Sequence, residues 1–377
     1  APQASFAVES LLNELATALD MDPLELRLKN AVRDGSTTPT GTFGTIGFVE
    51  CLEAAQSSDH YRTPPEPGQG RAVVAGFWRN AGGNSSATIH MHRNGFASVA
   101  TGSADLSGTR TALGMIAAET LHMPFDQVHI EVGDTDSVGN TGVSGGSRTV
   151  NATGQAVTQA ANDIINQAKE RAASGWNVLP EQVRWQEGKI TNTTRDESLT
   201  LREITRQAMS TGGPLAASAS VDIAGGEGPC FAVHICDVSV DEETGRVTVE
   251  RYTTVQDAGC AIHPPSVEGQ MQGGASQGIG WALNEAFVYD HAGRLENASF
   301  LDYRIPVTSD LPMIDTIVVE VPNPRHPFGV RGVGEAPIIP PLAAIGSAIT
   351  AVIGAPMTDL PCSPMRVRAA IKAKRRN

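Results

Sequence analysis

The sequence predicts an α+β fold with mixed sheets and packed helices, and three observations support this prediction. Strand-like and helix-like segments alternate irregularly along the 377 residues, whereas a doubly wound parallel sheet needs a regular alternation. Apolar residues make up 40% of the chain, which is enough for a substantial core. The 39 glycines and 23 prolines indicate many turns, and no internal repeat is visible.

The chain is predicted to open with helices. Apolar residues at helical spacing predict a helix over 3–19, and Asp22-Pro23 starts a second helix, because Asp caps a helix and Pro fits its first position. The prolines of 62–70 mark a linker. The other predicted elements, in order, are a loop at 36–47, a helix at 48–56, strands at 72–78, 87–92 and 96–101, a helix at 111–122, a strand at 127–132, a helix at 152–173, a strand-and-helix module at 183–210, a β-hairpin of 230–240 and 246–256, a helix at 265–284, strands at 285–290 and 316–321, and a helix at 337–353.

Charge and composition exclude several classes of function. A formal net charge of −13 argues against a nucleic-acid-binding protein, and the basic residues of 366–376 fit a solvated last helix. The five cysteines have no metal-ligand spacing, which argues against an iron–sulfur cluster in this chain and indicates a reducing, cytoplasmic compartment. We see no signal peptide and no apolar run that approaches the length of a membrane span.

A first candidate binding loop precedes the helix predicted at 111–122. It contains Gly102, Ser107, Gly108 and Thr109. Free amides at a helix N-terminus, together with small hydroxyl side chains, suit a phosphate group. On this segment alone, an ordinary capped loop is the simpler interpretation.

A second candidate loop has the sequence Ser144-Gly145-Gly146-Ser147-Arg148 and also ends at a helix. Close backbone approach, two hydroxyl donors and a guanidinium suit a pyrophosphate. Two such loops in one chain strengthen the binding interpretation, although ordinary helix capping stays open.

The same loop contains Gly142-x-Ser144-x-Gly146, the spacing of a serine hydrolase nucleophile elbow. That elbow requires an apolar strand directly before it. The residues before Gly142 do not form such a strand, so a hydrolase that uses Ser144 is a weak alternative.

Two further residues carry the strongest chemical expectations. Glu335 ends a loop with three glycines in six residues, Gly334 among them, and an apolar run follows it. We expect this carboxylate to be partly desolvated, with a raised pKa, and to act as a general base of a cofactor-dependent enzyme. Gln270, in a glycine-rich helix, could hydrogen-bond a heterocycle, although tight helix packing would explain those glycines equally well.

Taken in order, these segments resemble the molybdopterin-binding subunit of the xanthine dehydrogenase/aldehyde oxidase family of molybdenum hydroxylases. The resemblance covers nearly the whole chain. It rests on the helix pair 9–16 and 22–30, on the loop residues 133–136 and 145–148, on Asp257-Ala258-Gly259 with Gly269-Gln270 and Gly278-x-Gly280, on Gly332-Val333-Gly334-Glu335, and on Leu360-Pro361-x-Ser363-Pro364.

The resemblance implies a molybdenum ion held by the dithiolene of a pyranopterin, in the cytosine dinucleotide form, with no metal ligand from the protein. It implies that Glu335 takes a proton from Mo–OH and that water-derived oxygen hydroxylates an N-heterocycle or an aldehyde. Gln270 would lie near the pterin, and Ser144 to Arg148 would hold the pyrophosphate. Electrons would leave through 2Fe–2S centres and FAD on partner subunits.

The resemblance also implies that this chain is only the C-terminal half of the family's subunit. Residues 1–62 would end the first molybdopterin-binding domain, and 71–377 would form the second. We therefore expect a separate chain that carries the N-terminal half, while a non-catalytic assembly subunit stays open as an alternative. The first loop departs from the family, because Asp105-Leu106-Ser107-Gly108 lacks its usual Gln.

Overall fold

The computed structural model describes residues 1–39, 41–226 and 228–376 and confirms the α+β fold. The helices in these ranges are α1 (Pro2–Ala18), α2 (Pro23–Asn30), α3 (Phe48–Ser57), α4 (Asp59–Arg62), α5 (Thr109–Thr120), α6 (Thr149–Trp176), α7 (Leu201–Gln207), α8 (Pro264–Leu283), α9 (Pro341–Ile353) and α10 (Pro364–Lys374). The strands are β1 (Thr37–Thr38), β2 (Gly41–Thr42), β3 (Gln69–Trp78), β4 (Gly83–Met91), β5 (Ala97–Thr101), β6 (Val128–Val132), β7 (Val183–Gln186), β8 (Lys189–Asn192), β9 (Ser198–Thr200), β10 (Ala216–Ile223), β11 (Cys230–Val240), β12 (Val247–Asp257) and β13 (Ile314–Val319).

The chain forms two compact units, each assembled from separate stretches of sequence. The first consists of Ala1–Arg79, Gly228–Asn323 and Val333–Asn377, and the second of Asn80–Glu227 and Pro324–Gly332. The proline-rich linker therefore does not separate the two units, because it joins α4 to β3 inside the first. The assignment of 1–62 and 71–377 to two molybdopterin-binding domains stays a prediction.

The first unit is built on a four-stranded mixed sheet in the order β13-β12-β11-β3. The predicted hairpin is confirmed as β11 and β12, which pair antiparallel with a register shift between Asp237 and Val238. Strand β3 pairs antiparallel with β11 at one edge, and β13 pairs parallel with β12 at the other. The parallel pair is connected through α8, as parallel strands require a crossover.

Helices cover both faces of this sheet because successive apolar side chains along its strands point to opposite faces. Val74 and Cys236 belong to a buried cluster that includes residues of α8, α9 and α10. Val73 and Ile235 belong to a second cluster, which includes Leu52 of α3. This alternation follows from the two-residue period of a strand, and it makes the first unit three layers thick.

One apolar stretch corrects the expectation that no segment reaches the length of a membrane span. Residues Ala336–Ile353 are long and apolar enough by composition, with a mean hydropathy of 1.8. Nevertheless, 72% of this stretch is buried inside the protein, where α9 packs against β3, β11, α1 and α8. The core helix of a globular unit passes the same test of length and composition.

The second unit has a four-stranded sheet in the order β10-β4-β5-β6. Helix α5 connects the parallel strands β5 and β6, and the long helix α6 packs against β4, β10 and α5. A small three-stranded sheet, β7-β8-β9, is followed by α7, as predicted for 183–210.

Two predictions about strands were wrong or incomplete. Strand β10 was not predicted, since its Ala- and Ser-rich sequence gives little hydrophobic alternation and much of it is exposed. Residues 285–290 do not form a strand. Instead, the Val288 amide donates to Asn297 Oδ1, and one isolated bridge joins Tyr289 to Leu295.

Candidate functional site

In the second unit, the loop between β5 and α5 has the geometry of an open helix N-terminus. Ser107 and Gly108 both have positive φ, at 58° and 78°. Gly108 caps α5 without a side-chain hydrogen bond, and the Thr109 hydroxyl donates back to Leu106 O at 2.6 Å. The first amides of a helix have no intrahelical acceptor, so this arrangement leaves the N-terminus of α5 able to bind an anion.

The second loop contains a tight turn directly before α6. Gly146 and Ser147 have φ of 71° and 59°. The Ala81 amide donates to Gly146 O at 2.8 Å, and a Cβ at position 146 would collide with the Ala81 side chain. A Cβ at Gly145 would meet nothing within 4 Å. The turn therefore requires glycine at 146 and leaves 145 open to close approach.

Arg148 supports this loop from inside the unit. The residue is 4% exposed, and its guanidinium donates to Gly82 O and Asn84 O, both at 2.5 Å, and to Ser85 Oγ at 3.0 Å. Burial lowers the pKa of Arg148 from its ordinary value. The side chain thus holds the loop to the start of β4, whereas the sequence suggested that it faces a ligand.

A buried chain of hydroxyl groups brings the two loops together. Ser103 Oγ lies 2.8 Å from Thr153 Oγ1, which donates to Ser85 Oγ at 3.0 Å, and Ser85 in turn accepts from Arg148. Ser103 is 1% exposed and Thr153 is fully buried. Through Thr153 and Ser85, this chain of hydroxyl groups links Ser103 of the first loop to Arg148 of the second, and it includes none of the other predicted site residues.

The glycine-rich segment that leads to Glu335 starts beside the second loop. A Cβ at Gly332 would lie 2.6 Å from Ser147 Cβ and 2.9 Å from Asn80 Oδ1. Position 332 therefore requires glycine, and the segment Pro324–Gly332 packs directly against the loop within the second unit.

His326 helps to hold that segment, and sequence reasoning did not assign it a role. It is 4% exposed, its Nδ1 accepts the Phe328 amide at 3.0 Å, and it lies beside Gly154 of α6. Burial lowers the pKa of His326 to about 4, so the imidazole is neutral near pH 7. A lone histidine carries no sequence signal for this role.

In the first unit, Glu335 lies on a supported turn. The residue is partly exposed and occupies the N-cap position of the short 3₁₀ helix Ala336–Ile338 without a side-chain capping bond, while Gly334 lies in the bend before it. Gln256, which is fully buried, donates to Val333 O at 3.0 Å. Glu335 thus follows a backbone position that β12 fixes through a side-chain hydrogen bond.

Gln256 was missed by sequence reasoning, although a signal for it exists. It is a polar residue near the end of β12, directly before Asp257, the last residue of that strand. The Oε1 atom of Gln256 is buried and has no hydrogen-bond partner in the described part of the chain. Buried polar atoms in native proteins normally have a partner, so this amide marks a place of functional interest.

Helix α8 packs closely through some of its glycines and leaves others open, and a role of Gln270 in binding stays a prediction. A Cβ at Gly274 would lie 2.5 Å from Pro337 Cγ, and one at Gly278 would lie 2.6 Å from Pro341 Cγ. In contrast, Gly269 and Gly273 meet nothing within 4 Å. Gln270 is partly exposed near these open positions, so α8 supports the turn after Glu335 on one side and presents Gln270 on another.

The structure disfavours the serine hydrolase. Strand β6 ends at Val132, and no strand lies between it and Ser144 in this fully described stretch. The nucleophile elbow requires that strand. Among the described residues, no group of three or more His, Cys, Asp or Glu side chains could hold a metal ion.

Comparison with known proteins places these features in a family context. A family model described as a molybdopterin cofactor-binding domain matches residues 54–312. The putative xanthine dehydrogenase molybdenum-binding subunit of Escherichia coli is 31% identical over 97% of this chain and 52% of its own length. The aldehyde oxidoreductase of Megalodesulfovibrio gigas is 32% identical over 99% of this chain and 41% of its own.

Solved structures agree with this match at the level of the fold. Quinoline 2-oxidoreductase from Pseudomonas putida superimposes with a TM-score of 0.87 at 24% identity, over 98% of this chain and 52% of that one. The chain thus spans about half the length of the relatives it matches.

Proposed function

Because this chain belongs to the molybdopterin-binding subunits of the xanthine dehydrogenase/aldehyde oxidase family, we propose that it is a catalytic part of a molybdenum hydroxylase. The reaction would hydroxylate an N-heterocycle or an aldehyde with oxygen from water. The observation that carries this proposal is the supported turn at Glu335, where Gln256, Gly274 and Gly278 fix the backbone on both sides of the carboxylate. A structural loop has little need for such support around a partly exposed acid.

The residues of the two loops fit a pyranopterin dinucleotide, and this fit rests on geometry. Gly145 leaves room for close approach, the helices α5 and α6 begin without side-chain caps, and Gly146 and Ser147 take positive φ. Successive amides in such turns and at helix N-termini bind phosphate groups. Ser144, Gly145, Ser147, Ser107, Gly108 and Thr109 would hold the pyrophosphate, with Arg148 shaping the loop.

The chain's own groups would then position the reactants and move one proton. A bound molybdenum–pyranopterin would supply the redox chemistry for the two electrons and the hydrogen that leave the substrate carbon when its C–H bond breaks. The carboxylate of Glu335 receives a proton from the water-derived oxygen as that oxygen attacks the substrate carbon, which makes the oxygen a stronger nucleophile. Gln270 would hydrogen-bond the pterin edge through its side-chain amide.

Replacement of Glu335 by Gln tests the proposal. It keeps size and hydrogen bonding but removes the base, so turnover should fall by several orders of magnitude, beyond the roughly 10²–10⁴-fold of a typical acid–base contribution. Molybdenum and pterin contents should stay near those of the wild-type complex. The matched control is Glu53→Gln, at an exposed position of α3, which should keep full turnover. Retention of turnover by Glu335→Gln would rule out the role.

The proposal includes partners, because the similar Escherichia coli protein is described as a molybdenum-binding subunit. A separate chain would carry the N-terminal half of the subunit, and iron–sulfur and FAD subunits would carry the electrons onward. We propose the cytosine dinucleotide form of the cofactor, an N-heterocycle or aldehyde as the substrate, and a cytoplasmic location.

A second candidate function is a non-catalytic assembly subunit of the same kind of complex. Metal analysis of the purified complex separates the two. Molybdenum bound in a complex that loses turnover with Glu335→Gln supports catalysis. If the complex binds molybdenum and Glu335→Gln leaves its turnover unchanged, the chain has a non-catalytic assembly role.

A further inference from the structure

We propose that Gln256 is a positioning residue for the reaction, because its side chain sets the direction from which Glu335 meets the substrate. The proposal rests on the proposed function, in which Glu335 is the general base. Gln256 lies in β12 and Glu335 on the turn after Gly334, so both residues belong to the first unit.

The side chain of Gln256 lies beneath the turn that carries Glu335. Gln256 is opposite Ala232 in the antiparallel pair of β12 and β11, and opposite residues project to the same face of a sheet. Ala232 is buried in one cluster with Ala336, the residue that follows Glu335. The face of the sheet that bears Gln256 is therefore the face that the start of the 3₁₀ helix covers.

The hydrogen bond of Gln256 acts on a pliable part of this turn. Its Nε2 atom donates to Val333 O at 3.0 Å, and that carbonyl belongs to the peptide that joins Val333 to Gly334. Glycine has a wider choice of backbone dihedral angles than other residues, so Gly334 by itself fixes the direction of Glu335 poorly. Anchoring the peptide before Gly334 removes that freedom.

The segment after Glu335 is held by close packing instead. A Cβ at Gly274 of α8 would lie 2.5 Å from Pro337 Cγ, and a Cβ at Gly76 of β3 would lie 2.7 Å from Pro340 Cγ. The carboxylate thus lies between a closely packed segment and a peptide that Gln256 anchors.

The donor that Gln256 supplies explains why an amide is buried at this position. Gln256 is fully buried, and its Oε1 atom has no hydrogen-bond partner among the described residues. A buried acceptor without a partner costs stability, and the neighbouring side chains on this face, Cys230 and Ala232, are apolar. An apolar residue at position 256 would avoid that cost but would leave Val333 O without its donor.

The test compares Gln256→Met with the wild type in the purified complex, using the N-heterocycle or aldehyde that the wild type turns over fastest. Methionine keeps the length of the side chain but cannot donate to Val333 O. A displacement of about 1 Å costs up to about 100-fold in rate, so kcat should fall by about 10–100-fold. KM should stay near the wild-type value, because a fully buried side chain does not touch the substrate.

A double variant shows whether Gln256 acts through Glu335. In the Glu335→Gln background the base that Gln256 positions is already lost, so Gln256→Met should lower kcat no further. A side chain that only stabilises the fold would lower kcat by the same factor in both backgrounds.

Hydrogen–deuterium exchange of the segment 333–339 in the same complex gives a readout that needs no turnover. In this segment the Ile339 amide donates to Ala336 O at 3.1 Å. Loss of the anchor should speed exchange there by about fivefold, the factor for one ordinary hydrogen bond. Exchange in β11 should stay unchanged.

The matched control is Gln272→Met in α8. Gln272 makes the same kind of hydrogen bond elsewhere in the first unit, from its Nε2 to Ile314 O at 3.1 Å. This change should leave kcat and the exchange of 333–339 as in the wild type. If Gln256→Met fails to fold, Gln256→Leu removes the same donor with a shorter side chain and should give the same results.

Four outcomes would overturn the proposal: wild-type kcat in the Gln256 variants, a loss of kcat that persists in the Glu335→Gln background, unaltered exchange of 333–339, or failure of both variants to fold. Wild-type turnover by Glu335→Gln would contradict the general base, whereas the exchange data would still show whether Gln256 holds the turn. Loss of turnover by Glu335→Gln together with wild-type kcat in Gln256→Met would leave the general base intact and remove the positioning role.

Discussion

At the scale of single residues, Arg148 shows that a buried charged side chain can hold a loop in place. Its guanidinium satisfies the carbonyls of Gly82 and Asn84 and the hydroxyl of Ser85. The rigid fork of an arginine suits several acceptors at once, whereas lysine donates from one point. The loop's geometry therefore depends on this buried cation.

We predict that Arg148→Met lowers the free energy of unfolding by roughly 1–3 kcal/mol, because it leaves buried carbonyl groups without a donor. The measurement is urea unfolding. The control is Arg110→Met, whose ion pair with Asp105 is about half exposed and should cost less than about 1 kcal/mol. Equal costs for the two variants would contradict the supporting role of Arg148.

Gln256 and Glu9 likewise hold distant backbone segments in place through buried polar side chains. Each is a buried polar side chain that holds a backbone group of another segment: Gln256 holds the Val333 carbonyl, and Glu9 holds the Ala75 amide. Such side chains fix the position of a segment with little apolar area. A buried polar side chain that lacks one of its hydrogen-bond partners destabilises the fold, so the Oε1 atom of Gln256, which has none among the described residues, is notable.

At the scale of elements, α8 decides the position of the turn after Glu335. Gly274 and Gly278 allow Pro337 and Pro341 to approach the helix backbone, and no larger residue fits there. The cost is a helix with several glycines, each less favourable than alanine by about 1 kcal/mol. The close contact with the Glu335 turn offsets that cost.

Two neighbouring glycines of α8 provide a matched test. Gly274→Ala should destabilise the protein by roughly 1–3 kcal/mol, because its Cβ would meet Pro337. Gly273→Ala should stabilise it by about 0.5–1 kcal/mol, because that position is open and alanine favours the helix. Thermal or urea unfolding distinguishes them. The same sign for both changes would show that α8 does not hold the turn by close packing.

At the scale of the whole molecule, buried histidines predict how stability depends on pH. Burial lowers the pKa of His234 to about 3 and that of His326 to about 4. His234 lies between Tyr252 and Thr254, at hydrogen-bond distance from both hydroxyls. Neither imidazole gains a proton in the folded protein until the pH falls well below the ordinary histidine value of 6.5.

The direction in which stability changes with pH follows from which state, folded or unfolded, binds more protons. Between pH 6.5 and about 4, the unfolded chain binds protons at these histidines and the folded chain does not, so stability falls as the pH falls. Each histidine should contribute a slope of up to about 1.4 kcal/mol per pH unit. Urea unfolding from pH 7 to 4.5 measures how the free energy of unfolding changes with pH. His234→Gln should reduce this slope by up to about 1.4 kcal/mol per pH unit, the contribution of one histidine. Stability that is level from pH 6.5 to 4.5 would contradict this prediction.

The sequence alone determined those helices, strands and turns whose formation depends on neighbouring residues. The order of most helices and strands, the β11–β12 hairpin and the N-cap of α2 depend on residues close together in the chain. Spacing, capping residues and glycines act over one or two turns of backbone, so they can be recognised without a structure. The family resemblance was likewise carried by short segments, and the matched family model confirmed it.

Only the tertiary structure decided which way side chains face and which segments meet. The inward side chain of Arg148, the hydrogen bond from Gln256 to Val333 and the hydrogen bond from the Ala75 amide to Glu9 depend on partners more than fifty residues away. The division into two units from separated stretches and the burial of Ala336–Ile353 have the same origin. A residue's own sequence neighbourhood does not contain its distant partners, and burial and hydrogen bonding are properties of those partners.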